Sequence, residues 1–403
     1  MSSGVRQTAD AVVFNPYDYA TQDDPYPTYA WLRENAPLYR NAELDFWALS
    51  RHADVTAALR SESTYSNSMG VSLDPSAWGP NAHHVMSFLA MDPPDQTRLR
   101  GLVSRGFTPR RVAELEDQIR RISRDHLDAL ALDEPFDFID RFAGRVPMDV
   151  ISEMIGVPPA DRAELRRLAD LLVHRDDGAN DVSKEGIDAA IALFGYYTDL
   201  LADRRREPRD DLTSALTQAE AAGDRLTDQE IIGFLFLMIV AGNETTTKLL
   251  GNAVYWAARN PVELAKVFAD PGRIPDWVNE TLRYDGSTQL LARLLRTDVA
   301  LHGQVAPAGS RLVVLLGAAN RDGAVFADPD RYDIDRDTAQ MASFGGGRHY
   351  CLGANLARLE ARVALEQLVA RIRGIEVDER GAARVHSINV RGFAHLPVTV
   401  EPR

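Results

Sequence analysis

Apolar residues recur at helical spacing along most of this chain. In "TPRRVAELEDQIRRISRDHL", Thr108 is placed to cap a helix that Pro109 begins, and Val112, Leu115, Ile119 and Ile122 fall on one face. "VPPADRAELRRLADLLV" and "KEGIDAAIALFGYYTDLLADRRR" predict two more helices, separated by the polar turn sequence "HRDDGANDVS". The longest helical pattern runs from an N-cap at Thr227 to about Arg259. Its first half, "IIGFLFLMIVAG", is apolar all round, which predicts a helix through the core. "CLGANLARLEARVALEQLVARIRG" predicts a last helix, opened by Cys351 and stopped at Gly374, with Leu352, Leu356, Leu359 and Val363 on one stripe. Strand-like runs ("DFWALS", "RLVVLL", "IEVD", "LPVTV") are few, and the β-rich parts fall near 36–60 and 295–400. The fold class is mainly α with small β-sheets. No repeat or long linker divides residues 1–403, which read as one folding unit.

Composition narrows the function. Hydrophobic residues make up 45% of the chain, enough for a large core. A net charge of −14 argues against a nucleic-acid partner, which needs clustered positive charge. The start, "MSSGVRQTADAVVFNPYDYA", has no apolar signal-peptide core, and Ile231–Gly242 is too short to span a bilayer. With a single cysteine, these features predict a soluble, cytoplasmic protein with no membrane partner.

That cysteine carries the candidate chemistry. Cys351 closes the stretch "FGGGRHYC" and can form neither an intrachain disulfide nor a zinc cluster. It is either a buried thiol or a thiolate that holds something. Gly345, Gly346 and Gly347 let a flat body approach the backbone, and a thiolate is a soft ligand for iron. Arg348 and His349 stand ready for carboxylates on such a body. Within the core helix, "AGNETT" puts Glu244 and Thr245 just after an apolar run, where an internal acid is expensive unless chemistry uses it.

Phe344, Gly345, Gly347, His349, Cys351 and Gly353 match the pattern F-G-x-G-x-H-x-C-x-G, and the chain resembles the cytochrome P450 family. The resemblance runs from "DPYPTYAWLRENAP" to "VRGFAHLPV" and implies the triangular, mostly helical P450 fold around a haem b. It assigns Cys351 as axial iron ligand, His349 as a propionate contact and Phe344 as the ring flanking the sulfur. "AGNETT" resembles the family's A-G-x-[D/E]-T, which makes Thr245 the alcohol that handles dioxygen and Glu244 the acid of a proton relay. Glu280 and Arg283 occupy the ExxR position, with Arg331 of "DPDRYD" completing a structural triad; Glu164 and Arg167 match ExxR too but lie too early in the chain. Gln96 and Arg100 stand where the family has H-x-x-x-R, and Arg293 is a further propionate candidate. By register, Leu237, Val240, Ala241, Leu291 and Phe393 line the substrate pocket, and the segments 66–90 and 171–183 are mobile loops gating it. His83 and His84 are an ordinary loop pair.

The resemblance implies a monooxygenase that puts one atom of O2 into an apolar small molecule. Its electrons would come from a separate ferredoxin and ferredoxin reductase, landing on Arg105, Arg110, Arg111 and Arg348. Oxidative coupling or desaturation on the same scaffold is the nearest alternative. A haem-binding sensor or carrier is the alternative from another class.

Overall fold

The computed structural model describes residues 12–221 and 224–403, so the extreme N-terminus read above for export signals lies outside the described residues. Helices dominate. Those framing the site are α1 (Tyr26–Asn35), α2 (His52–Arg60), α3 (Asp95–Val103), α4 (Pro109–Glu114), α5 (Glu116–Asp128), α6 (Val146–Ile155), α7 (Arg162–Val173), α8 (Lys184–Arg206), α9 (Asp228–Arg259), α10 (Ile274–Tyr284) and α11 (Ala354–Val369).

α9 is the axis of the molecule. Its 32 residues span about 48 Å at the helical rise. Thr227 and Glu230 close a reciprocal capping box, and Asp228 and Glu230 complement the dipole of the first turn. Ile231 and Phe234 to Ile239 are buried, and α6, α8, α10 and α11 all pack around this helix.

Two predicted helices break where tertiary packing redirects them. The stretch from Pro109 is two helices, with Leu115 in between, although Thr108 does accept the Arg111 N–H as its cap. The last helix starts at Ala354, with Gly353 as its N-cap, not at Cys351. It ends before a strand, Ile372–Val377, that takes in the expected stop Gly374.

One sheet combines β1 (Leu38–Asn41), β2 (Phe46–Leu49), β3 (Tyr65–Ser66), β5 (Leu290–Leu295) and β6 (Arg311–Leu315) in the order β1-β2-β6-β5-β3. β6 runs parallel to β2 and antiparallel to β5, with Leu312 opposite Arg293. β6 is an apolar run buried along nearly its whole length, as befits a central strand. A second sheet joins β7 (Ile372–Val377), β8 (Pro397–Pro402) and β4 (Phe136–Asp137) in the order β7-β8-β4.

The segments 66–90 and 171–183 are fastened to each other. Arg175 donates to Asp74 at 2.8 Å, with both side chains at most 2% exposed, and Ser72 and Asn389 add hydrogen bonds to the same carboxylate at 2.9 Å each. Sequence composition marked these segments as loops; the ion pair between them was not readable from either one alone.

Candidate active site

The cysteine loop is built from its backbone. The Cys351 N–H donates to Phe344 O at 2.9 Å, and the Gly345 N–H to Ala342 O at 2.8 Å. Gly345 and Gly347 have φ of 70° and 61°, the left-handed region that glycine enters without strain. At Gly347 a Cβ would also stand 2.7 Å from the Leu59 carbonyl of α2, so the loop can press against that helix only without a side chain.

α3 holds the loop from the other side. Gln96, buried, donates to Arg348 O at 3.0 Å, and Arg100 donates to Tyr350 O at 2.6 Å. Gln96 therefore braces the loop backbone and does not face the cavity as a propionate contact would. Arg348 turns outward, pairing with Glu62 at 3.0 Å.

Cys351 opens onto a cavity of about 250 Å³. Phe344, Gly345, His349 and Gly353 share its cysteine-side wall, and Ala241, Gly242, Thr245 and Thr246 of α9 form another. Cys351 is accessible only in the sense that it faces this space. Burial pushes its thiol up, while the Gly353 N–H and the charges of Arg100 and Arg358 pull it down. A larger hollow, of about 630 Å³, opens beside His83, His84 and Arg98 at the outer end of α9 and does not reach Cys351. There His83 and His84 belong to a short helical turn, His84 bonding Gln229 at 2.9 Å.

Three cationic or donor groups gather beside the cysteine loop. Arg293 on β5 is 2% exposed and donates to the Ala292 carbonyl at 2.7 Å; burial pushes its pKa down to about 10, so it remains charged. His349 has both ring nitrogens buried without a hydrogen-bond partner, and burial followed by the Arg293 charge pushes it down to about 4. Arg100 completes the set. Among the described residues none of the three is hydrogen-bonded to a carboxylate. A buried guanidinium and an orphaned imidazole, both within reach of the Asp92 charge but neither paired with an acid, leave room for an anion, and a soft sulfur on the same cavity calls for a metal. This donor set fits a haem with its two propionates.

The other candidates are distributed as follows. Thr245 lines the cavity, its hydroxyl donating to Ala241 O at 2.7 Å. Glu244, 1% exposed, is turned about 100° from Thr245 and is off the cavity wall; there Lys248 Nζ lies 3.2 Å from its Oε2 and Asn243 donates to Oε1 at 3.1 Å. Leu237, Ala241 and Leu291 line the cavity. Val240 does not: one turn before Glu244 on that same face, it packs with Val173, Val385 and Val390. Phe393 does not either, being buried against Tyr255 and under Arg384.

Glu280 and Arg283 form a fully buried pair with bonds of 2.6 and 2.7 Å. The third member is Arg336, not Arg331. Arg336 Nε reaches Glu280 Oε1 at 3.4 Å, whereas the Arg331 side chain is 62% exposed, pairs with Asp333, and contributes only its carbonyl to Arg283. The pair holds the cysteine loop indirectly: Arg283 donates to Asn320 O at 2.9 Å, and the Asn320 side chain bonds Ser343 and the Ala342 N–H.

Sequence reasoning missed three charged residues. Lys248 stands four residues after Glu244, a spacing that was legible. Glu360, buried and with Oε2 unpartnered, lines the cavity from α11, where "LARLEARV" puts an acid beside the apolar stripe. Asp170 of α7 meets Glu244 and left no trace in its own segment.

The sequence profile described as Cytochrome P450 matches residues 275–380. The chain is 57% identical over 400 residues to cytochrome P450 123 of Mycobacterium tuberculosis, covering 99% of this chain and all of that one. Among solved structures it is similar to cytochrome P450 CYP109Q5 of Chondromyces apiculatus (TM-score 0.87, 36% identity, 97% and 98% of the two chains covered). CYP109E1 of Bacillus megaterium, in complex with testosterone, superposes with the same TM-score at 29% identity over 94% and 98% of the chains.

Proposed function

The chain belongs to the cytochrome P450 family, with that family's fold and its haem-thiolate monooxygenase chemistry, and from that premise we propose how its own residues divide the work. Cys351 ligates the iron of haem b, while His349, Arg100 and Arg293 receive the propionates. The observation that carries this assignment is the Cys351 sulfur facing a cavity beside an orphaned imidazole and two guanidinium groups that, among the described residues, form no ion pair. Bound haem with a thiolate ligand supplies the oxidising chemistry, because the sulfur's electron density favours O–O cleavage. Thr245 holds a proton at Oγ1 on the cavity wall, and Glu244 supplies protons to it from within the protein. Leu237, Ala241, Phe88 and Leu291 keep water from the space where the substrate reacts.

The apolar lining favours an apolar, medium-to-large substrate, and the similar CYP109E1 holds testosterone. Electrons come from a ferredoxin and its reductase. Arg110, Arg111 and Arg348 offer an exposed basic landing surface, while the Arg105 side chain lies outside the described residues. No described helix is long and apolar enough to cross a membrane. Desaturation or coupling would use the same residues; a mere sensor or carrier would have no use for Thr245 and Glu244.

The test is Cys351→His. The variant should still bind haem but lose the strongly red-shifted ferrous–CO band, and persistence of that band would refute ligation by Cys351. Thr245→Ala should divert electrons to peroxide, whereas unchanged coupling would remove Thr245 from the scheme.

A further inference from the structure

Phe344 has a cation on its ring. The carbon of the Arg358 guanidinium lies 4.3 Å from the Phe344 ring centroid, within cation–π range, and the Tyr350 ring packs at 6.3 Å. Phe344 shares the cavity wall of Cys351 and accepts its N–H at 2.9 Å, so the stack is built onto the cysteine loop itself. Arg358 is held in this place: its Nε donates to Asn279 Oδ1 at 3.0 Å. Asn279 precedes Glu280 on α10, so the helix that braces the loop through Arg283 also fixes this guanidinium.

The position is a poor one for a cation on its own account. Arg358 is half-buried in the second turn of α11, close to the positive end of the helix dipole, and the first turn holds no acid to offset either. Among the described residues Arg358 forms no ion pair. Its charge bears instead on the Cys351 sulfur, as does that of Arg100. Arg100 gives a donor to the loop backbone, whereas Arg358, held by a ring and an amide, contributes charge.

We propose that Arg358, seated on Phe344, raises the reduction potential of the iron that Cys351 ligates. This deepens the monooxygenase reading and rests on it. The step concerned is Fe³⁺ + e⁻ → Fe²⁺, the sulfur staying bound and the electron coming from the external redox partner. The reduced site carries one more negative charge, so a fixed cation beside the ligand favours it. A guanidinium suits the task because it stays charged at any working pH and stacks flat on a ring, where a strongly hydrated ammonium would seek water. Arg358 thereby sets how weak a donor can deliver the first electron.

Spectroelectrochemical titration of haem-loaded, substrate-free protein tests this. Arg358→Met and Arg358→Gln should each shift the ferric–ferrous equilibrium about tenfold toward ferric, a potential lower by about 59 mV for one electron. An opposite charge at close range moves an ionisation by roughly 10- to 10³-fold, and partial exposure puts Arg358 at the lower end. In both variants the C–O stretch of the ferrous–CO complex should fall in frequency, because a sulfur relieved of the cation donates more to the iron. Arg358→Lys keeps the charge and should retain most of the potential. Asn279→Ala, which loosens the guanidinium without removing it, should shift the potential less than Arg358→Met does. Haem content and the thiolate-type ferrous–CO band should persist in all four. An unchanged potential in the uncharged variants would overturn the proposal, as would an equal drop in Arg358→Lys, which would make shape and not charge the cause. Loss of haem from both uncharged variants would make Arg358 a structural brace and overturn it too. A wild-type protein without the thiolate-type band would overturn it together with the reading beneath it.

Discussion

Replacing Arg336 and Arg331 in turn separates two candidates for the third member of the Glu280–Arg283 group. Arg336 is 9% exposed and reaches Glu280 at 3.4 Å, Asp328 O at 3.0 Å and Arg331 O at 3.2 Å, with a further bond to Ala327 O. Arg336→Met keeps the stem and deletes these bonds, leaving the buried Glu280 Oε1 one donor short, so a loss of about 1–3 kcal/mol is expected. Arg331→Met removes an exposed pair with Asp333 at 3.4 Å, worth about 0–1 kcal/mol. Glu280→Ala sets the upper bound. It removes both carboxylate oxygens that accept from Arg283, one of which also takes the Asp333 N–H at 2.9 Å, and leaves a guanidinium with no exposure without its counter-charge, which costs about 3–5 kcal/mol. Urea unfolding of the haem-loaded proteins at neutral pH should rank the losses Glu280→Ala, Arg336→Met, Arg331→Met. Because Arg283 bears on Ser343 through Asn320, haem dissociation should quicken in the same order. An Arg331 variant as damaged as the Arg336 variant would refute the assignment.

Gly347→Ala should lose about 1–3 kcal/mol and part of its haem, from the positive φ and the clash with Leu59 O. Gly353→Ala, whose Cβ would meet no protein atom at φ −87°, should cost the haem-free protein under about 1 kcal/mol, and losses equal to those of haem-free Gly347→Ala in chemical denaturation would refute the loop geometry. Burial pushes Glu360 well above the usual carboxyl range, so above about pH 4 the unfolded chain releases a proton that the folded one keeps, and stability falls as pH rises. Glu360→Met should therefore be stabilising by about 1–3 kcal/mol at pH 8 and by less at pH 4, read by the urea midpoint at each pH. Asp285 is the reverse case: although burial alone would raise it, Arg391, Arg384, Tyr26 and Trp256 hold it well below the carboxylate range. Its contribution is complete above about pH 4 and is lost as pH falls through its lower folded value. Asp285→Asn should cost about 3–5 kcal/mol at pH 7 and flatten the acid limb of the stability profile; an unchanged limb would contradict the assignment.

Local signals carried the helices well. Thr227 with Glu230, and Ser183 ahead of Lys184, mark true helix starts because capping is decided within four residues. The loop from Phe344 to Cys351 was legible because its glycines are imposed by backbone geometry. Errors arose where a distant partner decides. Arg331 and Arg336 are equally plausible in sequence, and only the turn through Asp333 sends the latter inward to Glu280. Val240 and Phe393 follow the helix and strand registers correctly, yet their neighbours are the valine cluster and Tyr255. "LLARLL" reads as a short apolar run, and nothing in it announces a strand that buries Arg293 beside the cysteine loop. Asp170 is separated by a whole helix, α8, from the acid it meets.

The bond between Asp74 and Arg175 resists any parting of the segments 66–90 and 171–183. Moving the two segments apart would uncover an anion and a cation at once, with Asn389 losing its acceptor in the same motion. Half-opening gains little, since water must reach both charges before either is compensated. Parting of the two segments should then be an all-or-nothing event and, because the clasp is dry, nearly indifferent to added salt.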